Sequence, residues 1–404
     1  MVGGGPAGVC AAIAAARAGA ETLLVEGKAY LGGVSTGAMF QPWRGFHSLG
    51  KQVVTGLGEE IVDRLQAVGG SPGHRVDPIG VSLTVTPFDP GLLKSVLAEM
   101  LAANDVHLSL NSLFMKSRVI GKALNAIEIR TPSGDFLIRG SVYIDATGSG
   151  NVAIGAGAGF VKHDTSASYR FSMEHVAERV LVEYAVKNPH EFSKAPSSAE
   201  LAFLSLKGFG SLTKQWHKEA PAVSGFDSIQ IDGTTHSGEV VISMIELPGV
   251  NPDDPESLKR AGMRSAGLAT KAAQFLVDRC PGFANASLLT MPAELGFHSI
   301  RQVQGKISIT DPDVLSGRNF GNAVATCVMP GRPDCTFQVP ADALRLPSLE
   351  NLLVTGRAIL PPTALFATNS QPASMQLGEA AGKAAAALSK GFPLNKYAYN
   401  QKQN

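Results

Sequence analysis

The chain opens with the stretch VGGGPAG at residues 2–8. Its spacing is Gly-x-Gly-x-x-Gly, with glycines at Gly3, Gly5 and Gly8. Between a strand and a helix, the first glycine permits a tight turn, the second lets the backbone approach a pyrophosphate, and the third lets helix and sheet pack closely. The amides that begin the helix can donate to the phosphates. The stretch therefore predicts a βαβ unit that binds a dinucleotide.

The residues that follow agree with this prediction. Small apolar residues from 9 to 18, followed by Gly19, predict a helix, and residues 22–25 predict a strand that ends at Glu26. This acid lies about 20 residues beyond the glycines, where a carboxylate commonly binds a ribose hydroxyl.

The first strand of such a unit lies in the middle of the sheet, and strands usually have ~5–6 residues. Only Met1 and Val2 precede the first glycine of this chain. We therefore expect the true start of the protein to lie upstream of Met1.

The composition is that of an ordinary folded protein. Its 404 residues, 44% hydrophobic and 17% charged, are enough for two domains and a large core. A net charge of +1 argues against nucleic acid or an anionic membrane as the main partner. No run of ~18 apolar residues predicts a membrane span. Four scattered cysteines predict neither a metal site nor an iron–sulfur centre, and they favour a reducing, cytoplasmic compartment.

The region between residues 27 and 88 predicts loops around a ligand. Residues 32–37 (GGVSTG) suit a backbone that folds over a flat ligand or a diphosphate, with a plain loop as the alternative. Residues 38–88 are irregular apart from a helical patch at 59–68. We interpret Trp43, Arg44, Phe46 and His47 as part of an active-site wall, although Arg44 and Arg318 are also typical of ordinary surface charges.

Further elements are predicted from caps, alternation and glycines. Asp89 is placed as an N-cap and Pro90 as the first residue of a helix that runs to about residue 103. Small residues after a buried strand at 141–145 mark the edge where an open α/β sheet binds its ligand. The other expected elements are strands at 106–110, 113–120, 124–130, 136–139 and 239–246, a turn, strand and glycine exit within 349–357, and helices at 174–185, 257–279 and 371–388.

Three segments together resemble the glutathione-reductase-type FAD-binding fold: residues 3–26, 143–148 and 351–382. With their GGGPAG start, IDATG strand and NLLVTGR…GEAAG finish, they look like the broad family of FAD-dependent oxidoreductases. The resemblance implies an α/β chain with a Rossmann-like FAD-binding domain and an inserted, mixed α+β substrate domain. The first part of the FAD-binding domain would be residues 1–159, the substrate or cap domain 160–293, and the part that completes the flavin site 294–404.

The resemblance also implies FAD as the cofactor and a set of positions that bind it, without a metal. These positions are Gly3, Gly5 and Gly8 at the pyrophosphate; Glu26 at the adenosine ribose and Phe114 at the adenine; Gly33, Val34, Ser35 and Thr36 along the flavin; Ala146, Thr147 and Gly148 near the adenosine half; Gly356 and Arg357 at the diphosphate and ribityl chain; and the helix that starts near Ser374 at the pyrimidine edge of the flavin. Pro6, Ala7, Lys28 and Met375 complete the set.

The chain departs from the family pattern before its last third. The family often has a paired-arginine motif there, whereas this chain has HSIRQVQG at residues 298–305. Arg301 fits the first arginine and Gln302 replaces the second. The usual arginine of the final loop is also missing, with Gln371 near its place. These differences put in doubt a substrate that needs a twin-arginine carboxylate clamp.

The leading hypothesis is an FAD-dependent oxidoreductase that transfers a hydride between a small organic substrate and flavin N5. His298 is the first candidate for the base that takes the second proton, and His47 is the second. Arg301 would orient an anionic or carbonyl group. The absence of a cysteine pair after Glu26 and of a second Gly-x-Gly-x-x-Gly argues against a disulfide reductase and a separate NAD(P)H domain.

Two alternatives stay open at this point. One is a flavin-dependent monooxygenase or halogenase-like enzyme. The other is a non-catalytic or partner-dependent, degenerate flavin-binding protein, which the short first strand and the missing arginines would suit. The sequence leaves open the substrate, the electron acceptor, the direction of the reaction and whether the chain forms a homo-oligomer.

Overall fold

The computed structural model describes residues 1–198, 201–223, 227–298, 300–329, 331–365 and 370–391. No helix within these ranges is long and apolar enough to cross a membrane. The α-helices are α1 (Pro6–Arg17), α2 (Val34–Gly37), α3 (Leu57–Ala67), α4 (Pro90–Ala102), α5 (Asn151–Gly155), α6 (Glu178–Lys187), α7 (Gly210–Glu219), α8 (Pro255–Arg279), α9 (Asp311–Leu315) and α10 (Ser370–Ser389).

The strands are short and spread along the chain. In the first part they are β1 (Leu23–Val25), β2 (Trp43–Arg44), β3 (His47–Ser48), β4 (Lys51–Gln52), β5 (Arg75–Val76), β6 (Thr84–Thr86), β7 (His107–Ser109), β8 (Leu113–Ile120), β9 (Ala123–Thr131), β10 (Gly134–Ile138) and β11 (Tyr143–Asp145). The later ones are β12 (Phe160–Lys162), β13 (Ser166–Ser168), β14 (Phe171–Glu174), β15 (Ser205–Gly208), β16 (Ile229–Gly233), β17 (Val240–Ser243), β18 (Glu246–Pro248), β19 (Ser287–Thr290), β20 (Gly296–Phe297), β21 (Arg301–Val303), β22 (Ala323–Met329), β23 (Arg332–Pro340) and β24 (Leu352–Val354).

A parallel sheet holds the glycine-rich turn. Strand β1 pairs with β7, β11 pairs with β24, and Val2 forms single parallel bridges to Val25 on one side and Asp145 on the other. Gly3 N donates to Val25 O at 2.8 Å, and Ala146 N donates to Val2 O at 2.9 Å. Val2 therefore occupies the central position of the sheet, and all its parallel members end at one edge.

Helices α1 and α10 pack with their backbones in contact. A Cβ atom added to Gly378 would lie 2.0 Å from Ala7 O, and one added to Gly382 would lie 2.2 Å from Ala11 O. Only glycine fits at these two positions of α10. The contact holds the third turn of α10 beside the first turn of α1, so the first two turns of α10 extend beyond the start of α1.

Two sequence predictions about local structure are confirmed. Asp89 caps α4 by accepting a hydrogen bond at 2.7 Å from Leu92 N, and Pro90 is the first helical residue. The alternating stretches after α4 form the antiparallel sheet β8–β9–β10, in which the turn at 132–133 joins β9 to β10.

The middle of the chain is richer in strands than predicted. A five-stranded antiparallel sheet has the order β15–β16–β17–β14–β19. The single strand expected at 239–246 is wrong, because β17 and β18 belong to different sheets. The helix expected from residue 174 begins at Glu178 instead, since β14 occupies Phe171–Glu174. The buried core around this sheet also includes Phe297 and Ile300, beyond the expected domain boundary at residue 293.

Arg44 is not a surface charge, because it is only 1% exposed. Its guanidinium donates to Asp77 Oδ2 at 3.2 Å, and to Asp232 Oδ1 and Ser205 Oγ at 2.9 Å each. Two acids from distant parts of the chain neutralise it, which local sequence does not show. For Arg318 the prediction is confirmed: its side chain is 56% exposed and pairs with Asp313.

Candidate functional site

A cavity of about 610 Å³ lies at the edge where Val2, β1, β11 and β24 end. Most of the predicted FAD-binding positions line it: Gly3, Gly5, Pro6, Ala7, Glu26, Lys28, Gly33, Val34, Phe114, Ala146, Thr147, Gly148, Gly356, Arg357 and Ser374. The structure thus brings the three sequence segments to one cavity.

Four predicted positions lie behind the cavity wall and support it. Gly8 packs on the turn, since a Cβ there would lie 1.7 Å from Gly3 O. Ser35 donates to Gln371 Oε1, and Thr36 Oγ1 donates to Leu31 O at 2.6 Å. Met375 is buried among the residues that contact α1 and α3.

The glycine-rich turn leaves space on its cavity side. Gly3 has φ +107°, and a Cβ there would lie 2.4 Å from Ala146 O, so the turn requires glycine. At Gly5, in contrast, the nearest atom to an added Cβ is Gly33 Cα at 3.9 Å. Protein packing therefore does not demand glycine at residue 5. The open space at that point, beside the first amides of α1, can admit a phosphate.

Glu26 is held in a fixed orientation on the cavity wall. Its Oε2 accepts a hydrogen bond at 2.5 Å from Gly4 N, and its Oε1 accepts one at 2.8 Å from Lys28 N. Each carboxylate oxygen has a further lone pair. The group can therefore accept a hydrogen bond from a ligand hydroxyl.

Lys28 forms an ion pair with Glu294, a cavity residue that sequence reasoning missed. Glu294 Oε1 is buried and has no hydrogen-bond partner within the described residues. Tyr30 lies beside this carboxylate, and burial, with the negative charges of Glu294 and Glu26, raises the pKa of Tyr30 to about 12. No local signal in the sequence separates Glu294 from other acids.

Arg357 places a positive charge in the wall. Its Nε donates to Gly148 O at 3.0 Å, and its Nη1 donates to Phe297 O. Burial lowers the pKa of Arg357, and the negative charge of Glu294 opposes this shift. An anionic ligand in the cavity would gain from this partly desolvated cation.

An aromatic pair and an amide form another part of the cavity lining. The rings of Phe40 and His298 stack with their centroids 4.8 Å apart. Gln371, in the first turn of α10, donates from Nε2 to Phe40 O at 2.8 Å and accepts from Trp43 Nε1 at 3.1 Å. His298 therefore lies next to the start of α10.

The other two predicted catalytic residues lie outside the cavity lining. His47 Nδ1 is 3.0 Å from Thr84 Oγ1, and burial, together with the nearby His74, lowers the pKa of His47. Arg301 Nη2 donates to Asn151 Oδ1 at 2.8 Å, and the guanidinium is 3.4 Å from Asp253. Asn151 itself lines the cavity, so Arg301 contacts the wall from behind.

The residues present fit a dinucleotide. The cavity volume is within the range of about 300–1,000 Å³ usual for ligand sites. Open space at Gly5, helix amides, a carboxylate that can accept a hydrogen bond from a sugar hydroxyl and a partly desolvated cation are the groups that a diphosphate between two sugars requires. Within the described ranges, no group of three or more His, Cys, Asp or Glu side chains could hold a metal ion.

Residues 1–395 match the sequence model of the FAD dependent oxidoreductase family. The chain therefore belongs to this family. It is an enzyme that depends on FAD, and the family resemblance of its three segments is confirmed. No curated protein matches the chain in sequence.

Solved structures show the same mixed α/β fold at low identity, which is evidence for the fold alone. One is the flavin-dependent brominase Bmp2, with 12% sequence identity, a TM-score of 0.51 and coverage of 98% of this chain and 81% of that chain. A geranylgeranyl bacteriochlorophyll reductase-like protein from Thermoplasma acidophilum has 14% identity, a TM-score of 0.50 and coverage of 98% of this chain and 80% of that chain. A flavoprotein/dehydrogenase from Cytophaga hutchinsonii has 13% identity, a TM-score of 0.50 and coverage of 97% of this chain and 78% of that chain.

Proposed function

We propose that FAD lies in this cavity in the glutathione-reductase-type arrangement. The pyrophosphate lies over the turn at Gly3 and Gly5, and Glu26 binds the adenosine ribose. The amides in the first turn of α10 would hold the isoalloxazine end of the cofactor and stabilise negative charge on its ring. Support comes from the parallel order of β7, β1, Val2, β11 and β24, and from the first residues of α1 and of α10, which line the same cavity.

The proposed division of the chain follows from this placement. Residues 1–159 and 294–404 provide the FAD-binding domain, and residues 160–293 provide the substrate domain. The five-stranded sheet and most of its core support the middle unit. Phe297 and Ile300 extend that core past residue 293, so the second boundary is better drawn near residue 300.

We propose oxidation or reduction of a small organic molecule at the flavin. When bound, FAD supplies an acceptor or donor of a hydride at N5. His298 takes the proton that a hydroxyl or amino group of the substrate gives up as its carbon loses the hydride. The observation that supports this role is that the His298 ring lines the cavity and stacks on Phe40, beside the start of α10. Arg301 acts through Asn151 as a positioning residue.

The function is tested with purified protein loaded with FAD. Under anaerobic conditions, a panel of alcohols, amines and hydroxy acids is mixed with the yellow protein, and absorbance of the oxidised flavin is followed. We expect at least one compound to bleach the flavin in a single exponential phase. A protein that takes up FAD but is bleached by no organic donor would contradict the hydride-transfer proposal.

The second candidate is an oxygen-using flavoenzyme, a monooxygenase or a halogenase. Its support is the fold shared with the flavin-dependent brominase. Such an enzyme would leave the organic substrate unchanged in the anaerobic experiment. It would modify the substrate only after its flavin had been reduced and oxygen admitted, so the order of addition separates the two functions.

The glycine-rich turn gives a prediction about FAD affinity. Gly5→Val should weaken FAD binding by about tenfold or more, ~1.4 kcal/mol, because the side chain fills the space proposed for the pyrophosphate. The free energy of unfolding of the apoprotein should change by less than ~0.5 kcal/mol, since the atom nearest to the new Cβ, apart from its chain neighbours, is Gly33 Cα at 3.9 Å. FAD titration by fluorescence and urea denaturation measure the two quantities.

Gly8→Ala is the matched control for this variant. Its Cβ would meet Gly3 O, so the apoprotein itself should lose about 1–3 kcal/mol. If Gly5→Val binds FAD as tightly as the wild type does, the pyrophosphate does not lie over Gly5.

A further inference from the structure

Arg170, between β13 and β14, is a buried cation that forms no ion pair within the described residues. It is only 8% exposed. Its Nη1 donates to Gln41 O at 3.3 Å, and its Cζ lies 4.3 Å from the centre of the Phe40 ring. Burial lowers the pKa of Arg170 to about 10, so the guanidinium stays charged at neutral pH.

Two acids act on Arg170 from a distance, and both already have other partners. The negative charge of Asp232 opposes the lowering of the Arg170 pKa, but its Oδ1 accepts a hydrogen bond at 2.9 Å from Arg44 Nη2. Glu246, the other acid, accepts a hydrogen bond from Ser166 Oγ. Charged groups inside proteins are usually paired, because only a partner of opposite charge offsets the cost of leaving water. Arg170 can therefore stabilise an anion that a ligand brings.

One aromatic ring separates Arg170 from the cavity. Phe40 lines the cavity and stacks on His298, the proposed base. Two consecutive carbonyls hold this segment in place: Phe40 O accepts from Gln371 Nε2 at 2.8 Å, and Gln41 O accepts from Arg170. The positive charge of Arg170 therefore lies behind the cavity wall, at the end where His298 and the start of α10 are found.

The guanidinium does not need to touch a ligand in order to act on it. Two charges about 8 Å apart still interact appreciably in a protein interior, because little water screens them. An anionic group beside Phe40 is attracted by Arg170, whereas a neutral group of the same shape is not. FAD does not bring this anion, because its diphosphate is proposed at the glycine-rich turn and its oxidised ring is neutral. The anion must therefore belong to the substrate.

We propose that Arg170 selects an anionic substrate: a small organic carboxylate binds with its carboxylate beside Phe40, attracted by the charge of the guanidinium. This inference rests on the proposed function and names the substrate class of that site. Gln302, in place of the second arginine of the family pattern, removes one means of binding a carboxylate. Arg170, from the middle of the chain, provides the positive charge instead.

The test asks whether the charge of a ligand determines its affinity for the protein loaded with FAD. Acetate and benzoate are compared with their neutral amides, acetamide and benzamide. Binding is followed as the change in the absorbance spectrum of the oxidised flavin, so no turnover is needed. We expect at least one carboxylate to bind about tenfold more tightly than its amide, because only the carboxylate gains from the charge of Arg170.

Arg170→Met removes the charge and keeps an apolar side chain. It should abolish the preference for the carboxylate, a loss of about tenfold, and leave the affinity for the amide within about threefold of the wild type. The variant should fold, because no carboxylate of the described residues loses an ion-pair partner. Arg170→Lys keeps the charge and should retain most of the preference. Arg179→Met is the matched control, since it removes a positive charge from a side chain on α6 that is 86% exposed.

The inference is overturned if neither carboxylate binds, if each binds no more tightly than its amide, or if Arg170→Met keeps the wild-type preference. A lower flavin midpoint potential in Arg170→Met with an unchanged preference would also overturn it, because the charge would then act on the flavin ring and not on a ligand. If carboxylates are preferred but no donor bleaches the flavin, only the hydride-transfer proposal fails. A protein that takes up no FAD would overturn the proposed placement, and this inference with it.

Discussion

Replacing His298 with alanine is expected to slow anaerobic reduction of the bound flavin about 10²- to 10⁴-fold, the usual contribution of a positioned general base. The substrate would lose the group that takes its proton while the hydride leaves. FAD affinity should stay within about threefold of the wild type, because His298 stacks on Phe40 and neither belongs to the glycine-rich turn. Stopped-flow absorbance with the donor identified from the panel measures the rate.

Two other histidines complete this experiment. His107→Ala, on the exposed strand β7, is the control and should leave the rate unchanged. His47→Ala tests the second candidate, whose ring lies outside the cavity lining beside Thr84. If the flavin of His298→Ala is reduced at the wild-type rate and that of His47→Ala is reduced slowly, then His47 and not His298 is the base.

Replacing Arg44 with methionine is expected to cost about 3–5 kcal/mol of unfolding free energy, because it leaves two buried carboxylates without their cation. Asp77 already has one buried oxygen, Oδ1, that lacks a hydrogen-bond partner within the described residues. Arg44 lies on β2, whereas Asp232 lies on β16 of the five-stranded sheet. The variant should therefore loosen the contact between these two regions. Urea denaturation followed by tryptophan fluorescence measures the loss.

The matched control is Arg318→Met, which breaks the exposed pair with Asp313 and should cost at most about 1 kcal/mol. Adding Asp77→Asn and Asp232→Asn to Arg44→Met should recover part of the lost stability, since the two carboxylates that Arg44 neutralised are then uncharged. If Arg44→Met is as stable as Arg318→Met, the buried charges do not determine the stability of this contact.

Sequence alone predicted the elements whose signals are local. Pro90 after the capping Asp89 determines where α4 begins, and the alternating stretches at 113–120, 124–130 and 136–139 predict three paired strands. The glycines of residues 3–8 indicate a ligand because their spacing alone identifies the turn that binds a pyrophosphate. Gly3 and Gly5 of this turn also line the cavity.

The rest depends on residues far apart in the chain. The strands of the five-stranded sheet have four or five residues each, which is too few for a clear alternation of apolar and polar residues. Strand β14 also pairs with β17 and β19, which come much later in the chain. Burial of Arg44 depends on Asp232, and the cavity position of Glu294 depends on Lys28. An isolated charged residue in the sequence does not reveal its partner.

The glycine contacts between α10 and α1 have a consequence for synthesis. During translation, the amino-terminal nucleotide cradle emerges from the ribosome hundreds of residues before the helix that covers it. Contacts of such long sequence separation form slowly. The apolar face of α1 that α10 covers stays accessible to chaperones until α10 has been synthesised, so productive loading with the prosthetic group is expected only after that point.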